Sequence, residues 1–171
     1  RLIEEATKYF ASYGENAEKV AIGSVVFNEV KKEPRFPLEF HSDLTKTIRE
    51  FEESGAAYLM YTAARARSIL RRGNGRSPTS PDGLEPIEVR LIKRVIEFPR
   101  VVERAVEMDN PAVLSEFLLS LGQEYNRYYE NFPVFEGETL AFPHRYEITR
   151  AVLQVIENGL RLSRVPSPEK I

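Results

Sequence analysis

The sequence predicts an all-α fold, a helical bundle, and three features carry that reading. Apolar residues recur at three- and four-residue spacings along most of the 171 residues. Strand-like alternation is nearly absent, and the breaks between periodic stretches are short. Composition agrees: 42% apolar and 29% charged residues fit one globular domain, or one domain with a short arm. Ten Phe, eight Tyr and many aliphatic residues supply bulk for a core. The absence of Cys excludes disulfides, thiolate metal sites and cysteine nucleophiles.

The elements follow in order. Residues 2 to 11 form a helical arm. "ENAEKVAIGSVVFNEV" continues as a more apolar helix with Val20, Ala21, Ser24, Val25 and Asn28 on neighbouring turns. Gly23 inside it costs about 1 kcal/mol against Ala, which marks a close helix contact. "KKEPRFPLEFHSD" is an extended connector, because its two prolines disfavour helix. Ser42 or Asp43 can cap a short helix ending near Glu53, and Ser54 can cap the next. That helix carries "AYLMYTAARARSILRR", residues 57 to 72, with two tyrosines and no acid.

"GNGRSPTSPDGLEP" reads as a mobile loop, near residues 73–86, from its Gly, Pro, Ser, Asn and Asp content. "IEVRLIKRVIEF" is amphipathic through Ile87, Leu91 and Val95, with a boundary near Pro99. Asn110-Pro111 starts another helix, cap then first-turn proline. Its stripe of Leu114, Phe117, Leu118, Leu121, Tyr125, Tyr128 and Phe132 must be buried. A last helix runs from about His144 to Leu162, and "RVPSPEKI" is irregular. Residues 1–40 are expected to be an arm and connector, and residues 41–171 the bundle.

The net charge of −2 hides a sharp segregation. Residues 58–100 hold nine basic and four acidic residues, residues 101–141 two basic and eight acidic. A face of one sign can therefore attract phosphate in an acidic protein. No apolar run approaches the ~20 residues of a membrane helix, and "RLIEEATKYF" is too acidic for a signal peptide. The first residue is Arg, so the chain is expected to be a piece of something longer.

Nothing in the chain carries a reaction by itself. His41 and His144 lie in predicted connectors as surface or cap positions, too few for a metal site. "RRGNGR" follows a helix and lacks the lysine-hydroxyl pair of a phosphate loop. Glu52 and Glu53 diverge by ~100° on a helix and cannot share a substrate.

The basic helix is more informative. On a wheel Leu59, Ala63, Ala66 and Leu70 share one side, and Tyr58, Tyr61, Arg65, Ser68 and Arg72 the other, with Arg67 and Arg71 on a flank. A core face thus exists without the tyrosines. Rings and guanidinium groups in one stripe suit single-stranded nucleotides. A second helix burying the Tyr side remains open as the alternative.

"FEESGAAYLMYTAARARSILRR" resembles a segment of arginyl-tRNA synthetases. "LGQEYNRYYENFPV", "AVLQVIENGLRLSRVPSPEKI" and "NAEKVAIGSVVFNEV" are similar to further stretches of that family, in order, from about residue 17 to the end. The resemblance implies the C-terminal anticodon-binding domain with the DALR fold, which would hold the anticodon arm of tRNA(Arg) for ATP-dependent arginylation. It also implies a preceding class I catalytic domain as its partner, with ATP and Mg there and no cofactor in this fragment. A cytoplasmic monomer without membrane contact is expected.

The family's anticodon-site positions fall on Tyr58, Tyr61 and Arg65. Arg67, Arg71, Arg72 and Arg76 are expected to attract the tRNA backbone, and Tyr125, Asn126, Tyr128 and Tyr129 to form a supporting shell. The sequence departs from the pattern at Ala56-Ala57, at Met60 for the usual Gln, at Ala64 for the usual His, and at Ile171. Met60 is expected to remove an amide that could read a base edge. The alternative function is a helical protein-interaction domain whose Tyr and Arg groups anchor a protein partner.

Overall fold

The computed structural model of the chain describes residues 1–35, 43–73 and 83–169. Seven α-helices dominate these residues. The first is α1 (Leu2–Tyr9), followed by a 3-10 stretch, Ala11–Asn16, and α2 (Ala17–Val30). Next come α3 (Leu44–Glu53), α4 (Ala56–Gly73), α5 (Pro86–Glu107) and α6 (Ala112–Asn131). A two-residue hairpin, β1 (Phe135–Glu136) and β2 (Thr139–Leu140), precedes α7 (Pro143–Leu162). The loop expected near 73–86 falls largely on residues 74–82, outside the described residues, as do His41 and Ser42.

Local chemistry sets the helix ends. The Asp43 carboxylate accepts from the Thr45 amide (2.9 Å) and starts α3. Ser54 Oγ accepts from the Ala56 amide (3.2 Å) and starts α4. Between them Gly55 has φ +90°, with the Leu119 side chain against its Cα, so a side chain here would meet strain and collision together. Lys31 Nζ donates to the Ser54 carbonyl (3.3 Å), tying the end of α2 to this turn. Asn110 Oδ1 accepts from the Ala112 amide (3.1 Å) at the start of α6.

One core joins these elements. Phe10, Val20 and Phe27 of the first 35 residues share it with Leu59 and Met60 of α4, Tyr125 of α6 and Ile156 of α7. Burying one such side chain contributes roughly 1.5–3 kcal/mol. Gly23 lets α2 approach α4 closely: a Cβ there would overlap Met60 Cε and crowd Val165 (3.2 Å) and Pro166 (3.3 Å). A smaller cluster of Ile69, Val134, Leu140 and Tyr146 seats the hairpin against α4 and α7.

One expectation about the helices fails here. The boundary near Pro99 does not exist: α5 runs through it to Glu107. Phe98 and Val102 pack on the core and Val101 is buried, while Pro99 is exposed. Packing on both sides of the proline outweighs a local cost of about 3 kcal/mol. The hairpin was not expected either, because two paired residues a strand are too few for periodicity to register.

His144 is the other correction. It is neither a surface nor a capping group: its Nε2 lies 3.4 Å from Glu88 Oε1, and its side chain is largely buried. Glu88 itself is buried and joins three helices. It accepts from Arg145 Nε (3.0 Å) and the Tyr128 hydroxyl (3.2 Å), and its other oxygen accepts from the Glu85 amide (2.9 Å). The Arg145 guanidinium also covers the Phe142 ring at 4.0 Å. A buried carboxylate is tolerated only with such partners.

Candidate nucleic-acid interface

Helix α4 places its residues by angle. Leu59, Met60, Ala63 and Ala66 point into the core, while Tyr58 and Tyr61 remain 37% and 44% exposed. Helix α6 runs alongside and adds Gln123, Asn126, Arg127 and Glu130, spaced three, one and three. Residues at such spacings share a helix face. The two stripes enclose an open groove of about 530 Å³ lined by Tyr58, Tyr61, Arg65 and those four residues. This lies within the roughly 300–1,000 Å³ typical of small-ligand sites.

Asn126 organises the groove. Its Nδ2 donates to the Tyr58 hydroxyl (2.7 Å) and to Thr62 Oγ1 (2.9 Å), and its Oδ1 accepts from Arg65 Nη1 (3.2 Å). Both amide protons are thereby used, so Asn126 pins its neighbours and has little left for a ligand. The Tyr58 hydroxyl donates onward to the Gly122 carbonyl (3.3 Å). Its polar end is occupied, and the ring is what Tyr58 offers.

Arg65 is held by two rings as well. Its Cζ lies 4.8 Å from the Tyr61 centroid and 5.2 Å from that of Tyr129, and Nη2 donates to the Tyr61 hydroxyl (3.1 Å). Cation–π contact and hydrogen bonds fix the guanidinium plane. Two N–H groups are engaged and the others stay available to an anion or a base edge.

The structure brings some expected residues together and separates others. Tyr58, Tyr61 and Arg65 share the groove, with Asn126 and Tyr129 behind them. Tyr125 and Tyr128 are wholly buried. The Tyr125 hydroxyl donates to Thr149 Oγ1 (3.4 Å), and burial pushes its pKa up to about 12. Burial, then the neighbouring Glu88 carboxylate, pushes Tyr128 up as well.

Arg67 does not belong with the backbone-attracting arginines. It sits two residues past Arg65, ~200° around the helix. Its Nε donates to Glu157 (2.7 Å) and its Nη1 to the Pro168 carbonyl (2.6 Å), with Ser167 Oγ also accepting. It clamps the C-terminal tail to α4 and α7. Arg71 is exposed, while Arg72 is exposed but donates to the Gly137 carbonyl (2.9 Å) and covers Phe135 at 4.5 Å. Arg76 lies outside the described residues.

Met60 requires a further correction. It is fully buried against Gly23, and Ala64 is buried too, so neither position faces the groove. Substitutions there change the core rather than the lining of the groove. Conversely, Gln123, Arg127 and Glu130 escaped the sequence reading. Their shared helical face was legible, but only the approach of α4 turns it into a wall. Among the described residues no His, Cys, Asp and Glu group could hold a metal, and no helix is long and apolar enough to cross a membrane.

An all-helical domain with a groove of exposed rings, guanidinium groups and one pinned amide is suited to nucleotide bases and phosphates. A model of the DALR anticodon binding domain matches residues 59–171, and the chain belongs to that family. Tyr58 falls one residue before the match; Tyr61, Arg65 and all of α6 lie inside it. An arginine–tRNA ligase from an Exiguobacterium species is 32% identical over 169 residues, 99% of this chain and 30% of that protein. That of Methanococcus aeolicus is 31% identical over 163 residues, 91% of this chain and 28% of that protein. The arginyl-tRNA synthetase structure of Thermus thermophilus superposes with a TM-score of 0.78 at 28% identity, covering 99% of this chain and 32% of that one. A Plasmodium falciparum arginyl-tRNA synthetase structure shares the fold, with a TM-score of 0.72 at 19% identity over 99% of this chain and 32% of that one. The chain thus spans under a third of the length of the relatives it matches.

Proposed function

We propose that the chain is the anticodon-arm-binding domain of an arginine–tRNA ligase. One observation carries the reading: two half-exposed tyrosine rings share a groove with a guanidinium that Tyr61, Asn126 and Tyr129 hold in place, in a domain of the DALR family. The rings of Tyr58 and Tyr61 stack unpaired anticodon bases at about 1–3 kcal/mol each. Arg65 contacts a base edge or phosphate, and Arg71 with Arg72 attracts the backbone. A class I catalytic domain, with ATP and Mg, carries the arginylation in the longer, cytoplasmic protein, which acts as a monomer. Binding energy gathered at the groove positions the acceptor end at that distant site.

The test is binding of the chain to tRNA(Arg) and tRNA(Leu) transcripts across a salt titration. Tighter binding of tRNA(Arg), weakened by Tyr61→Ala at roughly 5- to 150-fold, is expected. Equal affinity for both tRNAs at every salt concentration would reduce the groove to generic electrostatics. Unchanged binding by a folded Tyr61→Ala, Arg65→Ala variant would remove the groove from the interaction.

A further inference from the structure

The groove contains one group that phosphate attraction does not explain. Glu130 is the sole acid among its seven lining residues, and it is exposed with no ion pair to another described residue. A lone carboxylate beside Arg65 and Arg127 weakens attraction for a polyanion. Any contact it makes with a ligand is therefore of another kind than backbone attraction. An ionised carboxylate only accepts hydrogen bonds, so the ligand atom facing it must carry a proton. Phosphate oxygens at neutral pH do not.

We propose that Glu130 and Arg127 of α6 form a base-reading pair that selects a nucleobase bearing an exocyclic amine over uracil. This deepens the anticodon-binding reading and rests on it. The pair sits three residues apart, so the two side chains leave the helix as neighbours about 5–6 Å apart at Cβ. One accepts and the other donates.

That order matches the edges of amine-bearing bases. In cytosine an amino group lies beside two acceptors, in guanine two donors lie beside one acceptor, and in adenine an amino group lies beside one acceptor. Uracil presents a single N–H between two carbonyl oxygens, which repel a carboxylate that approaches either side. The Arg127 Nε leans on the Gln123 carbonyl (3.4 Å), one turn back, leaving its terminal nitrogens for the ligand. The Gln123 side chain forms no hydrogen bond with another described residue and extends the same wall.

The other polar groups of the groove are less suited to this task. The Asn126 amide is consumed by Tyr58, Thr62 and Arg65, and the Tyr58 hydroxyl by Asn126 and Gly122. Stacking by the rings is tolerant of sequence. Arg65 keeps free donors for a phosphate or base edge, so the accepting side of base discrimination falls to the stripe from Gln123 to Glu130.

The test uses the 171-residue chain and stem-loop RNAs of the tRNA(Arg) anticodon arm, in which each unpaired base is replaced in turn by uracil. The wild-type chain is expected to lose roughly tenfold in affinity at one position. Glu130→Gln is expected to bring that ratio close to one while binding the uracil RNA more tightly, because a negative charge has gone. A uniform change across all RNAs would overturn the proposal and make Glu130 a bulk electrostatic group. A loss confined to 2′-deoxy substitution would overturn it in favour of ribose contact. Wild-type chain that binds none of the stem-loops would sink the anticodon reading itself, a result separable from either.

Discussion

A single residue can carry a charge that looks available from the sequence and is committed in the fold. Arg67 and Arg71 stand one turn apart on α4, yet Arg67 reaches Glu157 and the tail carbonyl of Pro168, while Arg71 faces solvent. The two substitutions should therefore separate. Arg67→Ala is expected to lower the unfolding free energy by about 1–3 kcal/mol, because charge-assisted hydrogen bonds are lost and tail carbonyls are left bare. It should leave the salt dependence of RNA binding unchanged. Arg71→Ala is expected to leave stability within about 0.5 kcal/mol and to flatten the slope of log K against log salt by about 0.7–1. Urea titration and binding at several salt concentrations read both; an equal drop in slope for Arg67→Ala would contradict the clamp. Tyr58, Tyr61 and Arg65 were legible as one face because helical angle alone groups them. The occupied Tyr58 hydroxyl was not, since its partners on α6 lie 64 and 68 residues later.

Between elements, the tightest constraint is the contact of α2 with α4. Gly23 and Met60 divide one volume: the glycine has no side chain and the methionine fills the space. Gly23→Ala is expected to destabilise by about 1–3 kcal/mol through overpacking. Met60→Ala alone should cost about 2–5 kcal/mol through the cavity it leaves. The double variant should be more stable than the sum of the two penalties, because the added methyl occupies part of the vacated space. Strict additivity in a denaturation series would place the two residues out of contact. Gly23 announced a close approach in the sequence because glycine is costly inside a helix. The partner could not be named there, and Met60 read instead as a lost base-reading group. The same limit applies to Pro99, where local propensity argued for a break and core packing by Phe98, Val101 and Val102 kept α5 whole.

For the whole molecule, the buried tyrosines make stability depend on alkali. Tyr125 ionises in solution near pH 10 and in the folded chain only near about 12, and Tyr128 shifts in the same direction. Between these values the folded state holds more protons than the unfolded one, so stability falls as pH rises. The contribution is complete below pH 10 and lost through about 12. Tyr125→Phe is expected to flatten that decline, as measured by denaturant midpoints on either side of pH 10; an unchanged slope would remove Tyr125 as its source. The sequence by itself determined the all-helical class, the order of the helices, the caps of α3, α4 and α6, and the face of α4 that offers Tyr58, Tyr61 and Arg65, because these follow from local periodicity and neighbouring side chains. Only the tertiary structure decided which charges are free, that Glu88 with Tyr128 and Arg145 ties three helices together, and that Gln123, Arg127 and Glu130 face the tyrosines. Those facts depend on which helix packs on which, and residues far apart in the chain meet only when burial of the shared core sets that choice.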